Sequence, residues 1–245
     1  MARLNVIGCG TGRSGTMSLA QVIGRCRGIV CTHEVRPLLP WEYDAKRYRR
    51  RLDDYLQSPD GSADVYFGYL PHLRRFFLDI ADLKVLCVER ARDEVVDSYM
   101  RWTGNANHWM EHDGTTWAYN WWDRCYPKFP ATSKDEAIGM YWDHYYSEIR
   151  KIQAEHPDDV LIVRTESLSS VEGRDLNFDF LGIAQQETGR LVAALASFRA
   201  FLAQPVEPTT EAHVAPVRQV VTKLEARVAH VEIDVRPAGL RGVVV

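Results

Sequence analysis

Gly8-Cys9-Gly10-Thr11-Gly12-Arg13-Ser14-Gly15-Thr16-Met17-Ser18 is the stretch on which the fold turns. A short apolar run, Leu4-Asn5-Val6-Ile7, precedes it, and a helical pattern, Leu19-Ala20-Gln21-Val22-Ile23, follows. A strand, a glycine-rich turn and a helix start, in that order, make a phosphate cradle. The glycines let backbone N–H groups approach an anion, and the helix dipole favours negative charge at its N-terminus. Gly10 and Gly15 have the G-x-x-x-x-G spacing of nucleoside-triphosphate loops, yet Thr16-Met17 stands where Lys-Ser/Thr should follow. The cation of the loop is Arg13, two residues before the last glycine. This pattern points away from ATP hydrolysis and towards another anionic donor.

Further runs rich in β-branched and apolar residues lie at Leu4–Cys9, Gly28–Thr32, Asp64–Gly68, Lys84–Glu89 and Val160–Arg164. Their continuous apolar character predicts strands covered on both faces. Helical patterns separate them at Thr16–Arg27, Pro40–Leu56, Leu70–Ala81, Asp93–Trp102, Lys134–Glu155 and Glu187–Leu202. Alternating strands and helices predict an α/β fold, a central parallel sheet flanked by helices with right-handed crossovers. Ligands of such sheets sit at the carboxyl ends of the strands, which gives weight to residues 10–16, His33, Glu34 and Arg90. Residues 1–245 are expected to form a single domain. Within it, 103–132 is a polar, aromatic stretch that reads as a lid or acceptor-binding insertion, and a C-terminal tail starts at about 204.

The formal net charge is -3 over 245 residues, so no global basic field suggests a nucleic acid partner. The basic run Lys46-Arg47-Tyr48-Arg49-Arg50-Arg51 is followed by Asp53 and Asp54 and reads as a solvated helix face. Cys9, Cys26, Cys31, Cys87 and Cys125 form no C-x-x-C pair, which reads as reduced, buried cysteine in a cytoplasmic protein. No apolar signal region follows Met1, and no window approaches a membrane span. A monomer or homodimer is expected, with no membrane partner. The scattered histidines give no recognisable metal-ligand spacing, so no metal is expected.

A second candidate site runs through Val88-Glu89-Arg90-Ala91-Arg92-Asp93, where a strand ends at Arg90 and a helix begins. Ser98 follows eight residues after Arg90, on that helix. An arginine at a strand end and a hydroxyl on the next helix converge on one phosphate. Taken together, Arg13-Ser14-Gly15-Thr16 and Arg90 through Ser98 resemble the sulfotransferase family, which uses 3′-phosphoadenosine 5′-phosphosulfate (PAPS). Val160-Leu161-Ile162-Val163-Arg164-Thr165-Glu166-Ser167-Leu168 and Phe178-Asp179-Phe180-Leu181-Gly182-Ile183 resemble two further elements of that family, so the likeness covers about residues 4 to 183. The resemblance implies the family's three-layer fold, related to P-loop NTPases. It also implies PAPS as donor and PAP as product.

By the same resemblance, Ser14, Gly15, Thr16 and Met17 hold the 5′-phosphate, and Arg90 and Ser98 hold the 3′-phosphate. Arg13 takes the place of the family's catalytic lysine, which stabilises charge on the bridging oxygen. Arginine keeps the charge but donates its proton less readily. The family's adenine-stacking aromatic falls near Ser18, so adenine is held elsewhere. An acceptor hydroxyl or amine needs a base, and Thr32-His33-Glu34 ends the second strand beside the first loop; His33 and Glu34 both remain candidates. The acceptor is a small molecule or a carbohydrate, and Trp102, Trp109, Trp117, Trp121 and Trp122 are candidates for its binding wall. Tyr141-Trp142-Asp143-His144-Tyr145-Tyr146 has helical spacing and reads mainly as core, and His108 and His112 read as surface residues. The competing readings are a P-loop small-molecule kinase and a non-catalytic nucleotide-binding protein.

Overall fold

β1 (Asn5–Cys9) is the middle strand of a five-stranded parallel sheet in the order β2-β3-β1-β4-β5, with β2 at Val30–His33, β3 at Ser62–Val65, β4 at Leu83–Glu89 and β5 at Val160–Arg164. The computed structural model describes residues 4–26, 29–36, 38–56, 62–110, 121–168, 180–182, 191–203 and 211–234. The register places Ile7 opposite Asp64 of β3 and Val85 of β4, and Cys9 opposite Cys87.

Alternation along β1 and β4 divides the core in two. Ile7, Cys9, Val85 and Cys87 face one hydrophobic cluster, while Val6, Leu86 and Val88 face another. The first cluster is closed by Tyr48 and Tyr55 of α2 (Ala45–Leu56), Phe76 of α3 (Leu73–Asp79), Val95 and Tyr99 of α4 (Arg92–Thr103), and the apolar face of α5 (Lys134–Glu155). The second is closed by Leu19 and Ile23 of α1 (Thr16–Ile23) together with Leu181. Each fully buried aliphatic side chain contributes on the order of 1.5–3 kcal/mol. Both sheet faces are therefore dry, as the unbroken apolar runs require. α6 (Leu191–Leu202) and α7 (Glu211–Asp234) bury a further cluster that includes Phe198 and Leu224.

Two local expectations change. The run Asp64–Gly68 is not one strand: β3 ends at Val65, and Phe67–His72 forms a 3-10 turn containing Pro71. The basic run on α2 is not wholly solvated, because Tyr48 and Arg51 are buried and Arg51 Nη2 donates to the Val35 carbonyl. At the start of α5 the Ser133 side chain accepts from Glu136 N, and the Glu136 carboxylate accepts from Thr132, which caps the helix.

Candidate active site

The chain leaves β1 towards one edge of the sheet, at β2, and leaves β4 towards the other, at β5. These two neighbours therefore open a crevice at their carboxyl ends, the place where ligands of wound parallel sheets bind. Residues 10–15 leave β1 into this crevice. Gly12, Arg13 and Gly15 have φ of 74°, 54° and 96°, all left-handed. At Gly12 an added Cβ would strike the Tyr99 hydroxyl; at Gly15 it would lie 2.9 Å from Thr165 Cγ2. Gly15 caps α1 without a side-chain hydrogen bond, so the first-turn N–H groups stay available to an anion.

Arg13 joins the loop to the second element. Its Nε donates to Ser98 Oγ at 3.1 Å, and its guanidinium lies 5.8 Å from the Trp102 ring centroid. Arg90, just beyond β4, donates from Nη1 to the Arg13 carbonyl at 3.2 Å and from Nε to Glu94 at 2.7 Å. The sequence spacing from Arg90 to Ser98 thus closes around Arg13 from both its backbone and its side chain. A cradle with open helix N–H groups and two arginines beside a serine hydroxyl has the donor set that two phosphates need.

On the β2 side, His33 Nε2 lies 3.1 Å from Thr16 Oγ1 and 3.9 Å from Glu34 Oε1. Glu34 has φ 53°, a conformation that costs a non-glycine residue about 1–3 kcal/mol. Its N–H donates to the Val65 carbonyl at 3.0 Å, which holds it there. Burial pushes the Glu34 carboxyl above the ordinary range. His33, Arg13 and Arg36 oppose that shift, while Asp64 adds to it. Asp64 itself is buried, accepting from Thr32 Oγ1 at 2.6 Å and from the Tyr69 hydroxyl at 2.5 Å.

A single cavity of about 430 Å³ collects these groups, with Arg13, Gly15, Thr16, Met17, His33, Glu34, Arg90, Ser98, Trp102 and Trp122 all on its wall. Ser14 is wholly buried within the loop and does not line it. Of the five tryptophans expected at the acceptor, Trp102 and Trp122 are present. Trp109 is not: it is 0% exposed, packed against Tyr99, Tyr126 and Tyr141, so it belongs to the core. Trp117 lies outside the described residues, as does the side chain of Trp121. His108 is likewise no surface residue; it is buried, with Nδ1 2.6 Å from Asp123 Oδ1. Cys31, expected buried, is only half-buried on β2; Cys26, three residues past α1, is buried, and burial pushes both thiols up to about 12.

No family model matches this chain, and no curated protein matches it. Among solved structures it is similar to mouse sulfotransferase SULT7A1 complexed with PAP, with a TM-score of 0.46 and 16% identity over 84% of this chain and 69% of that one. At that TM-score and identity the likeness assigns no role to any residue.

Phe67, Tyr99 and Tyr126 also line the cavity, and sequence reading passed over them. Extending the third strand to Gly68 put Phe67 inside it, whereas the strand ends at Val65 and Phe67 stands just beyond, where ligand contacts concentrate. Tyr99 directly follows Ser98 on α4, which was signal enough to consider it. Among the described residues no group of three or more His, Cys, Asp or Glu is arranged to hold a metal ion, and no helix is long and apolar enough to cross a membrane.

Proposed function

We propose that this chain is a sulfotransferase that takes the sulfuryl group of PAPS to a hydroxyl or amine of a small acceptor. The observation that carries the reading is the shared cavity: one wall has the anion cradle, the Arg90–Ser98 pair and the His33–Glu34 pair. The cradle and α1 N-terminus take the 5′-phosphosulfate, with Arg90 and Ser98 on the 3′-phosphate. In the transfer, the bond from sulfur to the 5′-phosphate oxygen breaks as a bond forms to the acceptor atom. PAP leaves with the electron pair, and the acceptor proton passes to Glu34 or His33. Arg13 supplies positive charge where the leaving oxygen gains negative charge. Its hydrogen bond to Ser98 uses Nε, which leaves the Nη donors of the fork for that contact.

Phe67, Trp102, Trp122 and Tyr126 give the same cavity an aromatic wall, and the Arg13 guanidinium lies 5.8 Å from the Trp102 ring centroid. The Tyr99 hydroxyl donates to the Thr11 carbonyl, so in its 3.2 Å pair with Tyr126 it is the acceptor. Both phenols are thereby engaged within the protein. An acceptor with one nucleophilic group and a flat apolar body suits this wall better than a carbohydrate, whose many hydroxyls would lose hydrogen bonds there.

Transfer of label from PAPS to a panel of phenols, alcohols, amines and sugars tests the reading, with PAP and ATP titrated beside it. Tight PAP binding, weak ATP binding and a labelled acceptor support it. ATP preference would favour the kinase reading, against which the missing lysine after Gly15 already weighs. PAP binding without transfer to any acceptor would favour a nucleotide-binding protein without turnover.

A further inference from the structure

Three carbonyls of the cradle are tied to side chains outside the loop. The Thr11 carbonyl accepts from two phenols, Tyr99 at 2.5 Å and Tyr141 at 3.0 Å. The Arg13 carbonyl accepts from Arg90, and the Ser14 carbonyl accepts from Thr165 Oγ1 at 2.5 Å. Behind them, Gly10 N–H donates to the Tyr145 hydroxyl at 3.0 Å, and that hydroxyl donates on to the Phe67 carbonyl at 2.9 Å. In a trans peptide the C=O of one residue and the N–H of the next point in opposite directions. Turning the carbonyls of Thr11 and Ser14 towards the core therefore turns the N–H groups of Gly12 and Gly15 away from it. Gly12 and Gly15 both line the cavity. Two phenols fill both lone pairs of the Thr11 carbonyl, so that peptide has no acceptor capacity left to draw it round.

A loop with glycine at 10, 12 and 15 has little torsional preference of its own. Its peptide planes are free to flip at low cost, and a flipped plane would present a carbonyl to the donor's anion. We propose that Tyr99, Tyr141 and Thr165 are positioning residues that fix the peptide orientation of the cradle and so set its affinity for the 5′-phosphate. The proposal rests on the PAPS reading of the same cavity. It gives the buried tyrosines of α4 and α5 a task besides packing, since phenylalanine would fill the same core.

Calorimetry on the full chain separates this task from general stability, with two ligands: PAP, which has both phosphates, and adenosine 3′-monophosphate, which has none for the cradle. In the Tyr99→Phe/Tyr141→Phe double variant the PAP affinity should fall about tenfold or more, the scale of one or two lost hydrogen bonds to a buried carbonyl. Its affinity for adenosine 3′-monophosphate should stay within about twofold, since that ligand does not use the cradle. Tyr55→Phe is the control. It removes another buried phenol, bonded to the Val6 and Ser62 carbonyls at 2.8 and 2.6 Å, at the far end of β1. It should lower the melting temperature and leave the ratio of the two affinities unchanged. An unchanged ratio in the double variant, or an equal change in Tyr55→Phe, overturns the proposal. If the double variant does not fold, Tyr141→Phe and Thr165→Val carry the same comparison; an unchanged ratio in both overturns it equally. A parent protein that binds adenosine 3′-monophosphate but gains nothing from the 5′-phosphate overturns it as well. One that binds neither ligand removes the PAPS reading itself.

Discussion

A guanidinium is a poor proton donor, so the contribution proposed for Arg13 in the transfer is electrostatic. Replacing it with alanine removes a charge needed most when the leaving oxygen becomes an anion. Arg13→Ala should lower kcat about 10²–10³-fold, with the PAP dissociation constant moving far less. Comparable losses in both would place Arg13 in ground-state binding instead. Glu34 gives a pH test. Its carboxyl is pushed up first by burial, and a base must be unprotonated, so kcat/KM should fall as pH falls through that raised value. Glu34→Gln should lose the rate and this limb of the profile together; if the limb persists, His33 is the base. The stability sign is opposite. A carboxyl raised in the folded state binds a proton more tightly folded than unfolded, so its stabilisation is complete below the unfolded value and is lost as pH rises through the folded one. Relative to the parent, Glu34→Gln should therefore melt higher at pH 7 than at pH 4.

At the scale of elements, α4 and α5 each serve two layers. One face of α5 puts Tyr141, Tyr145 and Tyr146 into the core, and their hydroxyls reach the Thr11, Phe67 and Val88 carbonyls. The helical spacing was legible, and core was the reading it allowed. The hydrogen bonds were not legible, because their partners lie between 58 and 130 residues away. The tryptophans at the end of α4 and in the stretch beyond it show the same limit. Composition marked them as equivalent, yet Trp109 is wholly buried and Trp102 is 43% exposed. Trp109→Ala should therefore destabilise the protein by about 3–5 kcal/mol in chemical denaturation. Trp102→Ala should change stability by less than about 0.5 kcal/mol while raising the KM for an apolar acceptor. Equal stability losses in the two variants would contradict this division. His108 and Asp123, 2.6 Å apart, tie the segment's two described ends together in the core, a pairing that two polar residues fifteen apart do not announce.

For the whole molecule, sheet order matters more than any one contact. β1 and β4 are distant in sequence and adjacent in space, and each delivers one element of the proposed anion site to the same crevice. On the proposed PAPS reading, recognition of two phosphates depends on the register that sets Cys9 beside Cys87. Arg90→Ala should weaken PAP binding more than adenosine 5′-monophosphate binding, narrowing the preference between them; an unchanged preference would place the 3′-phosphate elsewhere. The parent should also be stabilised by about 2.7 kcal/mol when PAP is present at a hundred times its dissociation constant, which a thermal shift titration reads directly.

Local chemistry was enough to make the strands, the helices and the cradle legible, because glycine spacing, apolar runs and helix starts act within a few residues of themselves. The spacing of Arg90 and Ser98 across one strand-to-helix junction is local too, although Ser98 bonds to Arg13 and not to Arg90 among the contacts described. Contacts between distant elements were decided only by the packed structure. Sheet order brought Arg90 to the Arg13 carbonyl, two helices brought phenols to the Thr11 carbonyl, and close packing drew Trp109 inward while leaving Trp102 at the cavity. The opening loop shows both sides of that division. Its glycines permit the cradle, and the orientation of its peptide planes comes from residues nearly ninety positions and more away.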